Sequence, residues 1–194
     1  MKNKKSIIII AIVAVVVVWA VSAYNGFVSR SEKVAGAWSQ VENQYQRRMD
    51  LIPNLVNTVK GYAAHESATF EAVVEARTKA TGVVVDAESL TAEQLASYQQ
   101  AQNELGAAMG RLIAIGESYP ELKASNNFME LQAQLEGTEN RIAVARKDFN
   151  EAVRSYNVKT KRFPSNLIAS LFGFGPKAYF EAATEAAAVP EVNF

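Results

Sequence analysis

An apolar run of eighteen residues near the N-terminus constrains this chain most. Residues 7–24 read IIIIAIVAVVVVWAVSAY, with Ser22 as the one clearly polar side chain before the tyrosine. As a helix with 1.5 Å rise per residue, the run reaches roughly 27 Å, close to the ~30 Å hydrocarbon core of a bilayer. In lipid, a helix satisfies its own backbone hydrogen-bonding groups. The run therefore predicts a transmembrane helix over residues 6–24.

The charges that flank this run predict its orientation. Lys2, Lys4 and Lys5 precede the run, whereas the next basic residue, Arg30, stands alone. Because positive charge is retained on the cytoplasmic side, residues 1–5 are expected in the cytoplasm and the rest of the chain outside it.

The anchor is expected to hold through Ile7 in the bilayer and through Trp19 and Tyr24 at the outer interface. A cleaved signal peptide is the alternative, because residues 21–23 resemble a small-residue cleavage site. The apolar run exceeds the ~7 to 15 residues usual for such a signal. We therefore expect a retained, single-pass anchor, with the lipid bilayer as a partner.

Composition excludes several classes of function. The chain has 20 basic and 20 acidic residues, one His and no Cys. A neutral balance argues against a nucleic-acid partner, and the Cys and His counts exclude disulfides, thiol catalysis and a two-histidine metal site. His65-Glu66 begins like a zinc-protease motif, but Thr69 stands where the second histidine is needed. We expect no enzyme and no cofactor.

Three long helices are expected beyond the anchor, since apolar residues recur at alternating spacings of three and four. Short links between them predict an all-α fold, in which the N-terminal transmembrane helix precedes an antiparallel bundle of three long helices plus a short C-terminal helix. The exported bundle domain is predicted over residues 25–174 and a C-terminal tail over 175–194. The predicted apolar stripes are Val34, Trp38, Val41, Tyr45, Arg48, Ile52, Leu55, Val59 and Tyr62; Leu95, Tyr98, Gln102, Leu105, Met109, Leu112 and Gly116; and Phe128, Leu131, Leu135, Thr138, Ile142, Ala145, Phe149, Ala152 and Tyr156.

Local signals predict where these helices begin, bend and end. The first is expected over about residues 29–79, with a kink near residues 49–52 because Pro53 cannot donate to the carbonyl four residues earlier. Thr91 with Gln94 predicts a capping box at the start of the second.

The C-terminal region carries its own signals. Asn126 or Asn127 is the expected cap of the third long helix. A short apolar helix is predicted over residues 166–172, ended by Gly173. The tail after it is expected either to dock on the bundle or to stay loose.

The unequal helix lengths suggest self-association. A second helix of ~27 residues spans only about half of the first. Val34, Trp38, Val41 and Tyr45 would then lack a partner within the chain, and such apolar surfaces usually pair with another copy. This predicts a homo-oligomer. The alternative is that the third helix covers the four residues alone.

Polar residues around Pro53 form the second candidate site. Arg48 lies on the apolar stripe, so it must reach solvent or meet a carboxylate. Arg47 and Asp50 flank it, and Glu139 and Arg146 of the third helix are candidate partners. We interpret the set as a buried polar network that fixes helix register. A ligand or partner site at the kink is the alternative.

Three segments make the chain resemble a known family. They are AWSQVENQYQRRMDLIPNLVNTVKGYAAHE at 37–66, LEGTENRIAVARKDFNEAVRSYN at 135–157 and FPSNLIASLFGF at 163–174. Together with the anchor and the C-terminal Val192-Asn193-Phe194, they closely resemble the LemA family of bacterial envelope proteins. The resemblance implies a single-pass protein of the bacterial inner membrane with an exported helical bundle, and no settled biochemical function.

Two functions fit these expectations. In the first, the bundle self-assembles as a structural scaffold at the membrane. In the second, it is an adaptor or signalling module that presents the Arg48/Asp50 region, the loop at 82–89 or the tail to another envelope protein, such as a membrane protease.

Overall fold

The computed structural model describes residues 2–85 and 90–181 of the chain. The loop at 86–89 and the end of the predicted tail, 182–194, lie outside the described residues. Every regular element within the described ranges is a helix, which confirms the predicted all-helical class. The helices are α1 (Lys2–Lys60), α2 (Ser67–Gly82), α3 (Ala92–Ser118), α4 (Pro120–Lys123), α5 (Asn126–Lys161) and α6 (Ser165–Phe172).

Helix α1 joins the apolar run to the bundle without a break. Its 59 residues give a length of about 88 Å at 1.5 Å per residue. Among the described residues, it is the one helix long and apolar enough to cross a membrane. The prediction of a separate helix beginning near residue 29 was wrong. The buried Ala23, near the end of the apolar run, and Phe27, just beyond it, already pack in the core, so the helix has tertiary support where the two parts meet.

The predicted end of the first helix near Lys79 was also wrong. Helix α1 ends at Lys60, residues 61–66 turn, and α2 begins at Ser67. Phe70 and Val73 of α2 lie buried in the same cluster as residues of α1 and α3. The reversal of the chain gives these side chains a partner, whereas a straight continuation would leave them beyond the end of the bundle.

Pro53 lies inside α1, and the helix continues through it. Proline has no N–H, so the carbonyl of Met49 loses its usual helical donor. Arg77 Nε of α2 donates to that carbonyl over 3.4 Å. The Thr81 hydroxyl donates to Met49 Sδ at 3.6 Å. Helix α2 therefore contacts α1 at Met49, the residue whose carbonyl has lost its helical donor because of the proline. The bend predicted near residues 49–52 stays a prediction.

Helix α5 accompanies α1 along the bundle, while α3 contacts the middle of α1. The ring of Phe27 lies 6.3 Å from Tyr156, and that of Trp38 lies 5.6 Å from Phe149. Residue numbers thus rise along α1 as they fall along α5. On the α3 side, Tyr98 meets Trp38 at 5.2 Å.

These contacts correct the expectation of an uncovered surface on α1. Val34, Trp38, Val41 and Tyr45 are 0%, 1%, 0% and 2% exposed. Helix α5 runs past all four, and Phe180 from the C-terminal segment stacks on Trp38 at 5.9 Å. The four side chains belong to the core of a single chain, so they offer no surface to a second copy.

The other helix boundaries lie close to the predictions. The capping box is present: Gln94 N–H donates to Thr91 Oγ1 over 3.2 Å, and Thr91 N–H donates to Gln94 Oε1 over 3.1 Å. Helix α5 begins at Asn126, with Ser125 as its cap residue. Helix α6 ends at Gly173, whose φ of +74° is a left-handed conformation that glycine adopts without strain.

Most predicted stripe residues are buried. Tyr62 is the clear exception at 46% exposed, because it lies in the turn after α1. Leu131 and Ala152 are only partly buried, and Val153 at 0% exposed takes the core position next to Ala152.

Residues 174–181, here termed the docked segment, pack back onto the bundle after α6. Phe180 is 5% exposed and lies 5.4 Å from Phe149. The Asn157 side chain donates to the carbonyl of Lys177 and accepts from its N–H, at 2.8 and 2.9 Å. Asn150 does the same with the backbone of Phe180, at 3.0 and 2.9 Å. The described part of the predicted tail is therefore docked.

Candidate functional site

The most concentrated polar site in the bundle is centred on Arg48 of α1. Only 4% of Arg48 is exposed, as expected for a residue on the apolar stripe. Its Nη1 donates to Glu139 Oε1 of α5 over 2.7 Å. Its Nη2 donates to the carbonyl and to the side-chain oxygen of Gln102, at 2.9 and 2.6 Å. One guanidinium therefore joins α1, α3 and α5.

The two ends of this site differ in solvation. The Glu139 side chain is 50% exposed, so its carboxylate lies at the mouth of the site and is partly hydrated. At the inner end, Arg48 Nε and Gln102 Nε2 are buried without a hydrogen-bond partner among the described residues. A buried guanidinium with an unfilled donor costs stability, and polar groups of this kind restrict how helices can be aligned.

Two tyrosines close the apolar side of the site. The guanidinium carbon of Arg48 lies 5.0 Å from the centre of the Tyr45 ring, and the Tyr45 and Tyr98 rings are 5.4 Å apart. Burial raises the pKa of the Tyr45 phenol above its ordinary value, although the nearby Arg146 and Arg48 oppose this shift. Burial, aided by Tyr45 and Glu42, also raises the pKa of Tyr98. Both phenols are therefore neutral at pH 7.

Arg146 of α5 borders the site, and within the described residues no ion pair joins it to Glu139. Its Nη2 donates to the carbonyl of Glu181 over 3.2 Å, and its guanidinium carbon lies 4.7 Å from the centre of the Phe180 ring. Burial raises the pKa of Tyr45, and the positive charge of Arg146 opposes part of that rise. Arg146 therefore connects the polar site to the docked segment.

Arg47 and Asp50 do not belong to the buried network, and that part of the prediction was wrong. Both side chains are exposed. Asp50 Oδ1 accepts a hydrogen bond from Gln46 Nε2 over 2.7 Å, on the outer face of α1. On a helix, positions one and two residues away from a buried side chain point to other faces. Closeness in sequence to Arg48 was therefore a misleading criterion.

Sequence reasoning did not assign Gln102 to the network. The signal was present, because Gln102 is an amide on the predicted apolar stripe of α3 and is 1% exposed. A buried amide needs a polar partner. The same requirement that identified Arg48 on α1 could have paired the two residues.

The chemistry of the site favours positioning of helices. Arg48 is held by Gln102 and Glu139, and the neighbouring phenols stay protonated at pH 7. His65, the start of the incomplete zinc-protease motif, is exposed in the turn at 61–66. Across the described ranges, no group of three or more His, Cys, Asp or Glu side chains could hold a metal ion.

The predicted anchor residues lie on the exposed surface of α1. Ile7 is 65% exposed, Trp19 37% and Tyr24 38%. The Tyr24 ring meets Phe172 of α6 edge-on, with ring centres 5.0 Å apart. Helix α6 is therefore fixed beside the C-terminal end of the apolar run, a contact that the sequence did not predict.

Comparison with known proteins gives a consistent assignment. The profile of the LemA family matches residues 37–194. The magnetosome proteins MamQ 1 and MamQ 2 of Paramagnetospirillum magneticum are both 31% identical over 175 residues, covering 81% of this chain and 64% of each relative. Protein LemA of Metamycoplasma hominis is 22% identical over 158 residues, covering 81% of this chain and 68% of that protein.

The chain thus spans somewhat less than two thirds of the length of the magnetosome relatives. The family match covers residues 37–60 of α1, all later helices and the docked segment. The polar site, the docked segment and α6 all fall within the matched residues. This chain belongs to the LemA family.

Proposed function

We propose that this chain is a non-enzymatic, membrane-anchored protein of the bacterial envelope, whose bundle is a structural scaffold on the outer side of the inner membrane. The observation that carries this proposal is the continuity of α1, which runs from Lys2 to Lys60. The apolar run and the central helix of the bundle are one rigid element. Lys2, Lys4 and Lys5 support a cytoplasmic N-terminus.

The proposed arrangement is an antiparallel bundle standing on the membrane. The opposite order of contacts along α1 and α5 supports it. From Tyr24 to Lys60, α1 rises about 54 Å at 1.5 Å per residue. The turn at 61–66 would therefore stand about that far from the bilayer surface. The Arg48 network lies between the bilayer surface and this turn, and it holds three helices in register.

Self-assembly must use a surface other than the buried stripe of α1. The outer face shared by α1 and α5 carries an open groove of about 370 Å³. Val144 is 58% exposed there, and the small Ala37 and exposed Gly36 would allow another helix to approach closely. We place the contact between copies on this face, with a second copy of the chain as its occupant.

Cysteine crosslinking in native membranes tests this scaffold, because the chain has no Cys of its own. Val144→Cys and Gln40→Cys lie on the proposed face, and Asn103→Cys on α3 is an exposed control. We expect crosslinked dimers from the first two variants and none from the third. The mass of the complex in mild detergent should be a uniform multiple of 21.2 kDa. A monomeric mass without crosslinks would refute self-assembly.

An adaptor is the second candidate function, favoured by the exposed Tyr62 in the turn at 61–66. An aromatic side chain held far from the bilayer is a typical anchor for a protein partner. Pull-down from membranes should then recover a stoichiometric heterologous protein that is lost in Tyr62→Ser. Recovery of the chain with only itself would exclude the adaptor and agree with the scaffold.

A further inference from the structure

Helix α6 lies against the outer end of the apolar run of α1. The rings of Phe172 and Phe174 approach Tyr24 at 5.0 and 5.5 Å. Phe174 also stacks on Phe27 at 4.9 Å. Ile168 and Ala169 are buried in the core. These contacts hold α6 at the level where α1 would leave the hydrocarbon of a bilayer.

The opposite face of α6 presents large apolar side chains to the outside. Leu167 and Leu171, one helical turn apart, are 58% and 75% exposed, and Phe163 just before the helix is 75% exposed. Val21 of the apolar run is 55% exposed on the neighbouring helix. The exposed apolar surface of the span therefore continues onto α6, and no described part of the chain covers it.

A basic cleft opens beside this apolar face. It has a volume of about 660 Å³, and its lining includes Arg30, Lys159 and Arg162. Within the described residues, none of these three has a carboxylate oxygen within salt-bridge distance. Arg154 in the same lining is neutralised by Glu151 at 2.9 Å. The cleft thus holds three cationic groups without a counter-ion.

Lys159 is held at the side of the cleft that faces α1. Its Nζ donates to the Ala23 carbonyl over 2.9 Å and lies 4.7 Å from the Phe27 ring. Burial and then the nearby Arg30 lower the pKa of Lys159. A bound anion would relieve the repulsion between the two cations.

The heights of these groups fit the headgroup layer of a bilayer. Arg30 lies six residues beyond Tyr24 on α1, about 9 Å further out, whereas Lys159 contacts Ala23. The headgroup region on each side of the hydrocarbon is roughly 5 to 8 Å thick. The basic groups therefore bracket the level of the lipid phosphates, just above the apolar face of α6.

We propose that α6 is a second membrane contact of this chain: Phe163, Leu167 and Leu171 insert into the interface of the leaflet that faces the bundle, and the basic cleft binds the phosphodiester of an anionic phospholipid in that leaflet. The inference rests on the membrane anchoring proposed above. The bundle would then contact the bilayer through both α1 and α6, and this second contact would prevent free rotation of the bundle about the axis of α1.

Insertion is tested with the full chain in nanodiscs of phosphatidylcholine and phosphatidylglycerol. Single cysteines at Leu167 or Leu171 carry a bimane label, and Met129→Cys is the control, an exposed apolar position at the far end of α5 from α6 and outside the proposed contact between copies. We expect quenching at 167 and 171 by spin-labelled lipid and quenching at 129 by iodide in the buffer. Equal iodide quenching at all three positions would overturn the insertion.

The cleft is tested by removing two charges and measuring the phosphatidylglycerol retained in native mass spectrometry. Arg30→Gln with Arg162→Gln should weaken retention about 25-fold, or about fivefold for each charge near a lipid surface. The control, Arg47→Gln with Arg111→Gln, removes the same charge at exposed positions away from the cleft and should leave retention unchanged. Equal losses in both variants would overturn a specific cleft.

Two further outcomes separate this inference from the proposals on which it rests. If the detergent-solubilised chain binds inorganic phosphate as tightly as short-chain phosphatidylglycerol, the cleft takes a free anion and the lipid assignment fails. If the chain does not incorporate into nanodiscs at all, the anchoring itself fails. Incorporation with an iodide-accessible α6 refutes only the second membrane contact.

Discussion

Replacement of Arg48 by Met provides a direct test of the buried network. The substitution removes both hydrogen bonds to Gln102, whose amide is then buried with an unsatisfied oxygen. Each such group costs about 1 to 3 kcal/mol. Glu139 is half exposed and regains water, so it adds little. We expect Arg48→Met to lower the free energy of unfolding by about 2 to 4 kcal/mol.

The double substitution is the more informative measurement. Gln102→Leu alone leaves the guanidinium of Arg48 buried with fewer acceptors, and should cost about 1 to 3 kcal/mol. Arg48→Met combined with Gln102→Leu replaces both polar groups by apolar groups of similar length. Such exchanges are often neutral or stabilising. The double variant should therefore be more stable than Arg48→Met alone, with a coupling energy of about 2 kcal/mol.

The chain contains its own reporter for this cycle. Trp38 is 1% exposed, and the sequence has one other tryptophan, Trp19. In a Trp19→Phe background, Trp38 fluorescence during urea unfolding in mild detergent reports the bundle alone. If the two substitutions reduce stability additively, the hydrogen bonds between the two residues contribute nothing as a pair, and the reasoning is refuted.

Three further predictions follow from single contacts. In Gly116→Ala, the added Cβ would meet the Phe128 ring, 2.6 Å from Cε2, and should cost about 1 to 3 kcal/mol of unfolding free energy, whereas Gly110→Ala on the same helix meets nothing and should gain about 0.5 to 1 kcal/mol. Asn150→Ala with Asn157→Ala removes four hydrogen bonds to the docked segment, which should then be cleaved faster in limited proteolysis; an unchanged rate would refute the clamp. Because burial raises the pKa of Tyr98 above 10.0, its contribution to stability is complete below pH 10 and is lost as pH rises towards the folded-state pKa, so Tyr98→Phe should lose less stability between pH 9 and 11 than the unsubstituted chain.

Periodic features of the sequence predicted the core well. Val34, Trp38, Leu105 and Phe149 are buried as their spacing requires, because a period of 3.6 residues fixes which side of a helix can face its neighbours. The predicted capping box at Thr91 was also confirmed, since it depends only on residues within one helical turn. Arg48 was identified for the same local reason, as a charge on an apolar stripe.

Two of the predictions failed because they depended on distant contacts. The sequence around Gly61 contains no proline, and the reversal into α2 depends on where Phe70 and Val73 find a buried site. Trp38 is buried partly by Phe180, which stacks on it and lies 142 positions later in the chain. Propensity acts over a few residues, so it cannot decide which distant segment fills a gap.

The contact between α2 and Met49, four residues before Pro53, offers the last test, because the proline removes a helical hydrogen bond and a distant helix supplies another donor. The Met49 carbonyl lacks a helical donor and accepts from Arg77 Nε at 3.4 Å. Arg77→Gln should therefore cost about 0.5 to 1.5 kcal/mol of unfolding free energy. In a Pro53→Ala background the restored backbone N–H can donate to the same carbonyl, and the cost of Arg77→Gln should fall towards zero. The Trp38 assay measures both costs, with Arg111→Gln on the exposed face of α3 as the control. An equal cost of Arg77→Gln in the two backgrounds would show that Arg77 stabilises the bundle independently of the proline. The predicted difference would show that α2 folds back to the position inside α1 where Pro53 leaves the Met49 carbonyl without its helical donor.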